Sequence, residues 1–267
     1  MDHTHKKPDL SRIRCFALDM DGTFYIENRL YEGSLNFIRR LKETGRRFVF
    51  LTNNSSKSRA DYFEKLKGLG VPVSNDELVT SGQATIEYLK EHYPKKSIFL
   101  LGNSTLRKEF EQGGLTITDK DPDMVVTAFD TSFDYQKMWK VCDFVRSGLP
   151  FIATHPDFNC PVEKGFMPDI GAIHAYINAS AGRIPDKIIG KPYREIMDCA
   201  FRHMDCKADE TAMVGDRLYT DIAVAKNVPG ITSILVLTGE TKLSDLEGSD
   251  IRPHMVFERL ADMTPLL

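Results

Sequence analysis

The stretch Phe16-Ala17-Leu18-Asp19-Met20-Asp21-Gly22-Thr23 decides the fold of this chain. The apolar run from Ile13 to Leu18 reads as a buried parallel strand. It stops at two carboxylates separated by one residue, Asp19 and Asp21, and a glycine follows. In an open α/β sheet the carboxyl ends of the strands form the ligand crevice, so both carboxylates are expected to project into a site. Gly22 permits a sharp turn with no Cβ in the way, which lets backbone N–H groups approach an anion. Two close carboxylates raise each other's pKa unless something neutralises them. A hard divalent cation with oxygen ligands, such as Mg²⁺, does that.

Working outward, Leu35, Phe37, Ile38 and Leu41 recur at helical spacing after Ser34, and Gly45 ends the pattern. Arg47 to Leu51 reads as a second buried strand running into Thr52-Asn53-Asn54-Ser55-Ser56, a polar loop at the same sheet edge as Asp19. Strand, helix and strand in this order form a βαβ unit, so the sheet is parallel. Phe24 to Glu32 is too irregular to assign. A helix after Ser58, a short run at Leu78–Ser81 and a helix from about Gln83 complete the first part. Smaller strands and helices then alternate, with a strand at Phe151–Thr154 ending in His155-Pro156-Asp157 and a helix at Gly171–Ala181. The frame resumes with Ile188-Ile189-Gly190-Lys191-Pro192. The strand Thr211–Val214 then runs into Gly215-Asp216 and on to Asp221. The expected division is a Rossmann-like parallel core from 1–81 and 186–267, with an α/β insert from 82–185.

The 267 residues suit one large domain or two modest ones, and 42% hydrophobic with 27% charged residues is an ordinary globular balance. A net charge of −3 gives no basic footprint for nucleic acid. No apolar run approaches the ~18 residues of a membrane span. Met1 to Lys7 is polar and lacks the apolar region of a signal peptide. The five cysteines include no C-x-x-C pair, which fits a reducing cytoplasm and thiols serving as small apolar residues.

Asp19 and Asp21, Thr52 and Asn53, Lys191, and Asp216 with Asp221 form an ordered set. It resembles the sequence motifs of the haloacid dehalogenase (HAD) superfamily: Asp-x-Asp-Gly-Thr, a Thr-Asn loop, a Gly-Lys-Pro lysine and Gly-Asp-x-x-x-x-Asp. The insert lies between Thr52 and Lys191, as in the C2-capped subclass IIA that includes the NagD-type and 4-nitrophenylphosphatase-like phosphatases. Tyr219 departs from the smaller polar or acidic residue that relatives often carry in the metal loop.

The resemblance implies a Mg²⁺-dependent phosphatase acting on a small phosphorylated metabolite in the cytoplasm, as monomer or homodimer, with the insert as a C2-type cap. A carboxylate whose charge is balanced by a metal is a competent nucleophile toward phosphorus, the role expected of Asp19. Asp21 is placed to protonate the leaving oxygen and then deprotonate the attacking water. Asp19, the Asp21 carbonyl and Asp216 are the expected metal ligands, with Asp221 orienting Asp216 or a metal-bound water. Gly22, Thr52, Asn53 and Lys191 are expected to bind phosphate. His155 and Asp157 are candidate substrate contacts, with Asn159, Glu163 and the Asp169–Ala172 turn as further candidates. A phosphotransferase or mutase would share the aspartyl-phosphate, although the short Asp21–Thr52 interval leaves no room for the cap such mutases usually carry there. A non-catalytic metabolite-binding regulator would be expected to lack the nucleophile or a metal ligand, and none is missing.

Overall fold

The computed structural model describes residues 9–162 and 164–267, so Met1–Lys7 and Glu163 lie outside the described residues. The chain divides into two compact units. One comprises Met1–Leu51, Leu69–Glu77 and Ala200–Leu267, the other Thr52–Gly68 and Leu78–Cys199.

In the first unit a parallel sheet runs in the order Met255–Phe257, Thr232–Val236, Thr211–Gly215, Cys15–Leu18 and Arg47–Thr52. Leu18 stands opposite Val214 on one side and Phe50 on the other. Asp19 therefore leaves its strand level with Gly215, and its N–H donates to the Val214 carbonyl at 2.9 Å. Strand Cys15–Leu18 is completely buried, which explains the unbroken Cys-Phe-Ala-Leu run. Helix Ser34–Glu43 buries Phe37, Ile38 and Leu41, and the Phe37 ring meets Phe16 edge-on at 5.8 Å. Phe24 to Glu32, unassigned from sequence, holds a short hairpin that pairs Tyr25–Ile26 with Arg29–Leu30.

In the second unit the parallel order is Lys187–Ile188, Phe151–Ala153, Met124–Thr127, Ser97–Leu101 and Thr116–Ile117. Its core gathers Phe99, Val125 and Phe151 from the strands with Val141 and Val145 of helix Tyr135–Arg146 and Ile173 and Ile177 of helix Ile170–Ala181. An antiparallel ribbon, Asn159–Val162 against Gly165–Pro168, lies in a stretch where the sequence predicts no strand. Pro161 and Pro168 each remove a ladder donor, which suits an exposed ribbon and hides it from pattern reading.

Cys15 and Cys206, 191 positions apart in the sequence, lie side by side with Cα atoms 6.6 Å apart. Cys142 and Cys199 are buried, and Cys160 is half-buried. No helix of the described residues is long and apolar enough to cross a membrane.

Candidate active site

The first unit gathers Asp19, Asp216 and Asp221, with one carboxylate oxygen of each within 4.8 Å of the others. Asp19 and Asp216 are there because adjacent parallel strands end side by side. Asp221 returns through the π-type turn Leu218–Ile222, and its carboxylate accepts the Arg217 N–H at 3.1 Å. Asp216 and Asp221 are buried, whereas Asp19 and Asp21 are half-buried.

Among the described residues, the Asp216 carboxylate is held by two donors. The Glu240 N–H reaches Oδ2 at 2.6 Å, and the Thr23 hydroxyl lies 3.3 Å from Oδ1. Burial, and then the charges of Asp19 and Asp221, push its pKa from 3.8 up to about 8, against the opposing effects of the Glu240 N–H and Arg217. This all-oxygen, negatively charged donor set fits a hard divalent cation such as Mg²⁺. Asp21 turns elsewhere: the Tyr25 hydroxyl donates to its Oδ2 at 3.1 Å.

Gly22 has a φ of 94°, and a Cβ on it would come within 2.6 Å of Asp216 Oδ2. Gly239 crowds the same carboxylate from the loop after strand Thr232–Val236. Both glycines let backbone approach Asp216 closely, but Gly239 and the Glu240 N–H carry no motif that would single them out in sequence. Gly22→Ala is expected to lower the melting temperature by several degrees, from a strain of ~1–3 kcal/mol. It is also expected to weaken stabilisation by Mg²⁺. Thermal unfolding with and without the cation measures both effects.

The second unit brings Asn53, Asp157 and Lys191 together. The Asn53 carboxamide donates to Asp157 Oδ2 at 2.7 Å and to the Lys191 carbonyl at 2.9 Å. Its Oδ1 accepts the Lys191 N–H at 2.7 Å. Thr52 is buried, and its hydroxyl oxygen accepts the Asn54 N–H at 3.2 Å. His155 is fully buried, with Nε2 3.0 Å from Asp169 Oδ1 and Nδ1 2.9 Å from Thr154 Oγ1. Asp169 also caps helix Ile170–Ala181, accepting the Ile170 N–H at 2.6 Å. His174, read from sequence as an ordinary helical residue, lies 2.8 Å from Thr127 Oγ1. Burial, then the neighbouring His155, lowers its pKa to about 3. Tyr219 is 44% exposed, and its hydroxyl reaches Glu240 Oε2 at 3.5 Å.

A Haloacid dehalogenase-like hydrolase family model matches residues 16–116, and a HAD-hydrolase-like model matches residues 188–263. The structure of a 4-nitrophenylphosphatase from Thermotoga maritima aligns with a TM-score of 0.93 at 47% identity, covering 96% of this chain and 98% of that one. The 5'-nucleotidase YutF of Bacillus subtilis is 32% identical, over 94% of this chain and 98% of its own length. An acid sugar phosphatase of Staphylococcus aureus is 35% identical, over 94% of this chain and 96% of its own. The chain belongs to the haloacid dehalogenase-like hydrolases. Within them it is a NagD-like phosphatase, a phosphoric monoester hydrolase.

Proposed function

We propose that the protein hydrolyses small-molecule phosphomonoesters in a Mg²⁺-dependent reaction through an aspartyl-phosphate on Asp19. The observation that carries this reading is the Asp19–Asp216–Asp221 carboxylate cluster, in which the half-buried Asp19 is the accessible member. Asp19 attacks phosphorus in line and expels the alcohol. Asp21 gives the leaving oxygen its proton, then takes one from the water that cleaves the acyl phosphate. The Tyr25 hydroxyl, at 3.1 Å, holds the Asp21 carboxyl for both transfers.

Asp19, the Asp21 main-chain carbonyl and Asp216 would hold Mg²⁺, with Asp221 as a supporting acceptor. When bound, the cation supplies charge neutralisation for the nucleophile and the equatorial phosphoryl oxygens. Gly22, Thr52, Asn53 and Lys191 take the phosphate-binding roles that the family motifs imply, and residues 82–185 act as the cap. The relatives' names, a sugar phosphatase and a 5'-nucleotidase, support sugar phosphates and nucleoside monophosphates as the substrate class.

Phosphate release from 4-nitrophenyl phosphate and a panel of sugar phosphates, nucleoside monophosphates, phosphoglycolate and pyridoxal phosphate, with Mg²⁺ or with EDTA, tests the proposal. The expected result is release that EDTA abolishes and Mg²⁺ restores, with a ranking among the esters. Equal release in EDTA would overturn the metal dependence. Silence across the whole panel would overturn the substrate class.

A further inference from the structure

We infer that Asn53 and Asp157 form a positioning device for Lys191: the Asn53 carboxamide fixes the lysine's main chain, and Asp157 fixes the carboxamide. The inference rests on the reading above that Lys191 binds the phosphoryl group. It assigns Asp157 a task other than touching substrate, and it gives the Asn53 side chain a task beyond any its backbone N–H performs.

The Asn53 carboxamide meets Lys191 at two points. Its Oδ1 accepts the lysine's N–H at 2.7 Å, and its Nδ2 donates to the same residue's carbonyl at 2.9 Å. Two bonds to the N–H and C=O of one residue reproduce the grip of a neighbouring β-strand and restrict both backbone dihedrals of Lys191. The second Nδ2 hydrogen goes to Asp157 Oδ2 at 2.7 Å. A carboxylate only accepts, so it determines which end of the carboxamide faces it. With the amide so oriented, both contacts to Lys191 have the correct donor–acceptor sense.

Asn53, Asp157 and Lys191 are 7%, 4% and 2% exposed, so an unmet bond here is costly. The Asn53 carbonyl is itself anchored by the Ser81 hydroxyl at 2.5 Å. Gly190 completes the arrangement, because a Cβ there would stand 2.6 Å from Asn53 Oδ1 and 2.8 Å from the Thr154 carbonyl. Serine at position 53 is too short to bridge the lysine's N–H and carbonyl. Aspartate lacks both donors and sets a second carboxylate against Asp157. The position therefore requires an amide of this length.

A device that positions a phosphate-binding lysine couples energetically to that lysine's side chain, and a double-mutant cycle detects the coupling. The experiment measures kcat/KM for 4-nitrophenyl phosphate, and inhibition by inorganic phosphate, in wild type, Asp157→Ala, Asp157→Asn, Lys191→Ala and Asp157→Ala/Lys191→Ala. Asp157→Ala is expected to lower kcat/KM by about 10- to 100-fold and to weaken phosphate inhibition in parallel. Asp157→Asn, whose amide oxygen can still accept the Asn53 N–H, is expected to restore most of the loss. In the Lys191→Ala background Asp157→Ala is expected to cost nothing further.

An equal loss from Asp157→Ala in both backgrounds, or no loss in either, would overturn the inference. If Asp157→Ala fails to fold, Asp157→Ser enters the cycle with the same expectations. An inactive wild type, or Lys191→Ala at full activity, would instead overturn the underlying reading of Lys191.

Discussion

Asp19→Asn is expected to yield a folded protein whose phosphate release falls by at least ~10³-fold, the scale seen when a catalytic nucleophile is removed from its constellation. Asparagine has the shape of aspartate, and residue 19 is half-buried, so the substitution opens no cavity. It also removes one negative charge from a cluster whose members lie within 4.8 Å of one another, so the metal-free fold should be no less stable. Asp21→Asn should differ in kind. It removes the proton donor and acceptor, a loss of about 10²–10⁴-fold, and should cost least with 4-nitrophenyl phosphate, whose leaving group needs little protonation. Steady-state kinetics on both variants, with melting temperatures as the check on folding, separates the two roles. Full activity in Asp19→Asn would contradict the assignment of the nucleophile.

The second large effect is stabilisation by Mg²⁺ and its dependence on pH. The Asp216 carboxyl titrates at about 8 in the metal-free fold, against 3.8 ordinarily. Between these values the folded chain retains a proton that the unfolded chain has lost. Stability is therefore greatest below the ordinary value, falls as pH rises, and has lost this contribution once pH passes the folded value. Mg²⁺ competes with that proton, so its affinity should climb across the same window and level off above it.

At a concentration about 100-fold above Kd, a bound cation stabilises by about 2.7 kcal/mol, or roughly 5–10 °C for a protein of this size. At a fixed Mg²⁺ concentration the increment should be clearly larger near about pH 8 than near about pH 6. In Asp216→Asn it should largely disappear, while the metal-free variant melts above metal-free wild type at the higher pH. Thermal unfolding across pH with Mg²⁺ or EDTA measures all three. An increment that is independent of pH, or that survives in Asp216→Asn, would place the cation elsewhere.

The parts of the site legible in sequence are those in which a buried strand runs directly into polar residues. Asp19 follows Cys15–Leu18, Thr52 ends Arg47–Thr52 and Asp216 follows Thr211–Gly215, each marked by an apolar run that stops abruptly. What the sequence concealed depends on pairings between distant residues. Nothing near Asn53 shows that its carboxamide holds a lysine 138 positions away, or that Gly190 is small to admit it. The adjacency of Cys15 and Cys206 spans 191 positions and lacks any spacing signature. The hairpin after Phe24 escaped because its strands are two residues each, too short for an alternating pattern to emerge. Tyr25, which holds Asp21, sits in that hairpin and was missed with it.

The central claim is a covalent phosphoryl group on Asp19, and trapping it is the most direct test. The enzyme is mixed with Mg²⁺ and a good substrate from the panel, quenched during turnover and treated with borohydride, which reduces an acyl phosphate to an alcohol. The peptide containing residue 19 is then read by mass spectrometry. The account predicts homoserine at position 19 in the substrate-treated wild type, and none when substrate is omitted or in Asp19→Asn. Reduction at a different residue, or steady turnover with no reduced residue under conditions that preserve acyl phosphates, would contradict it.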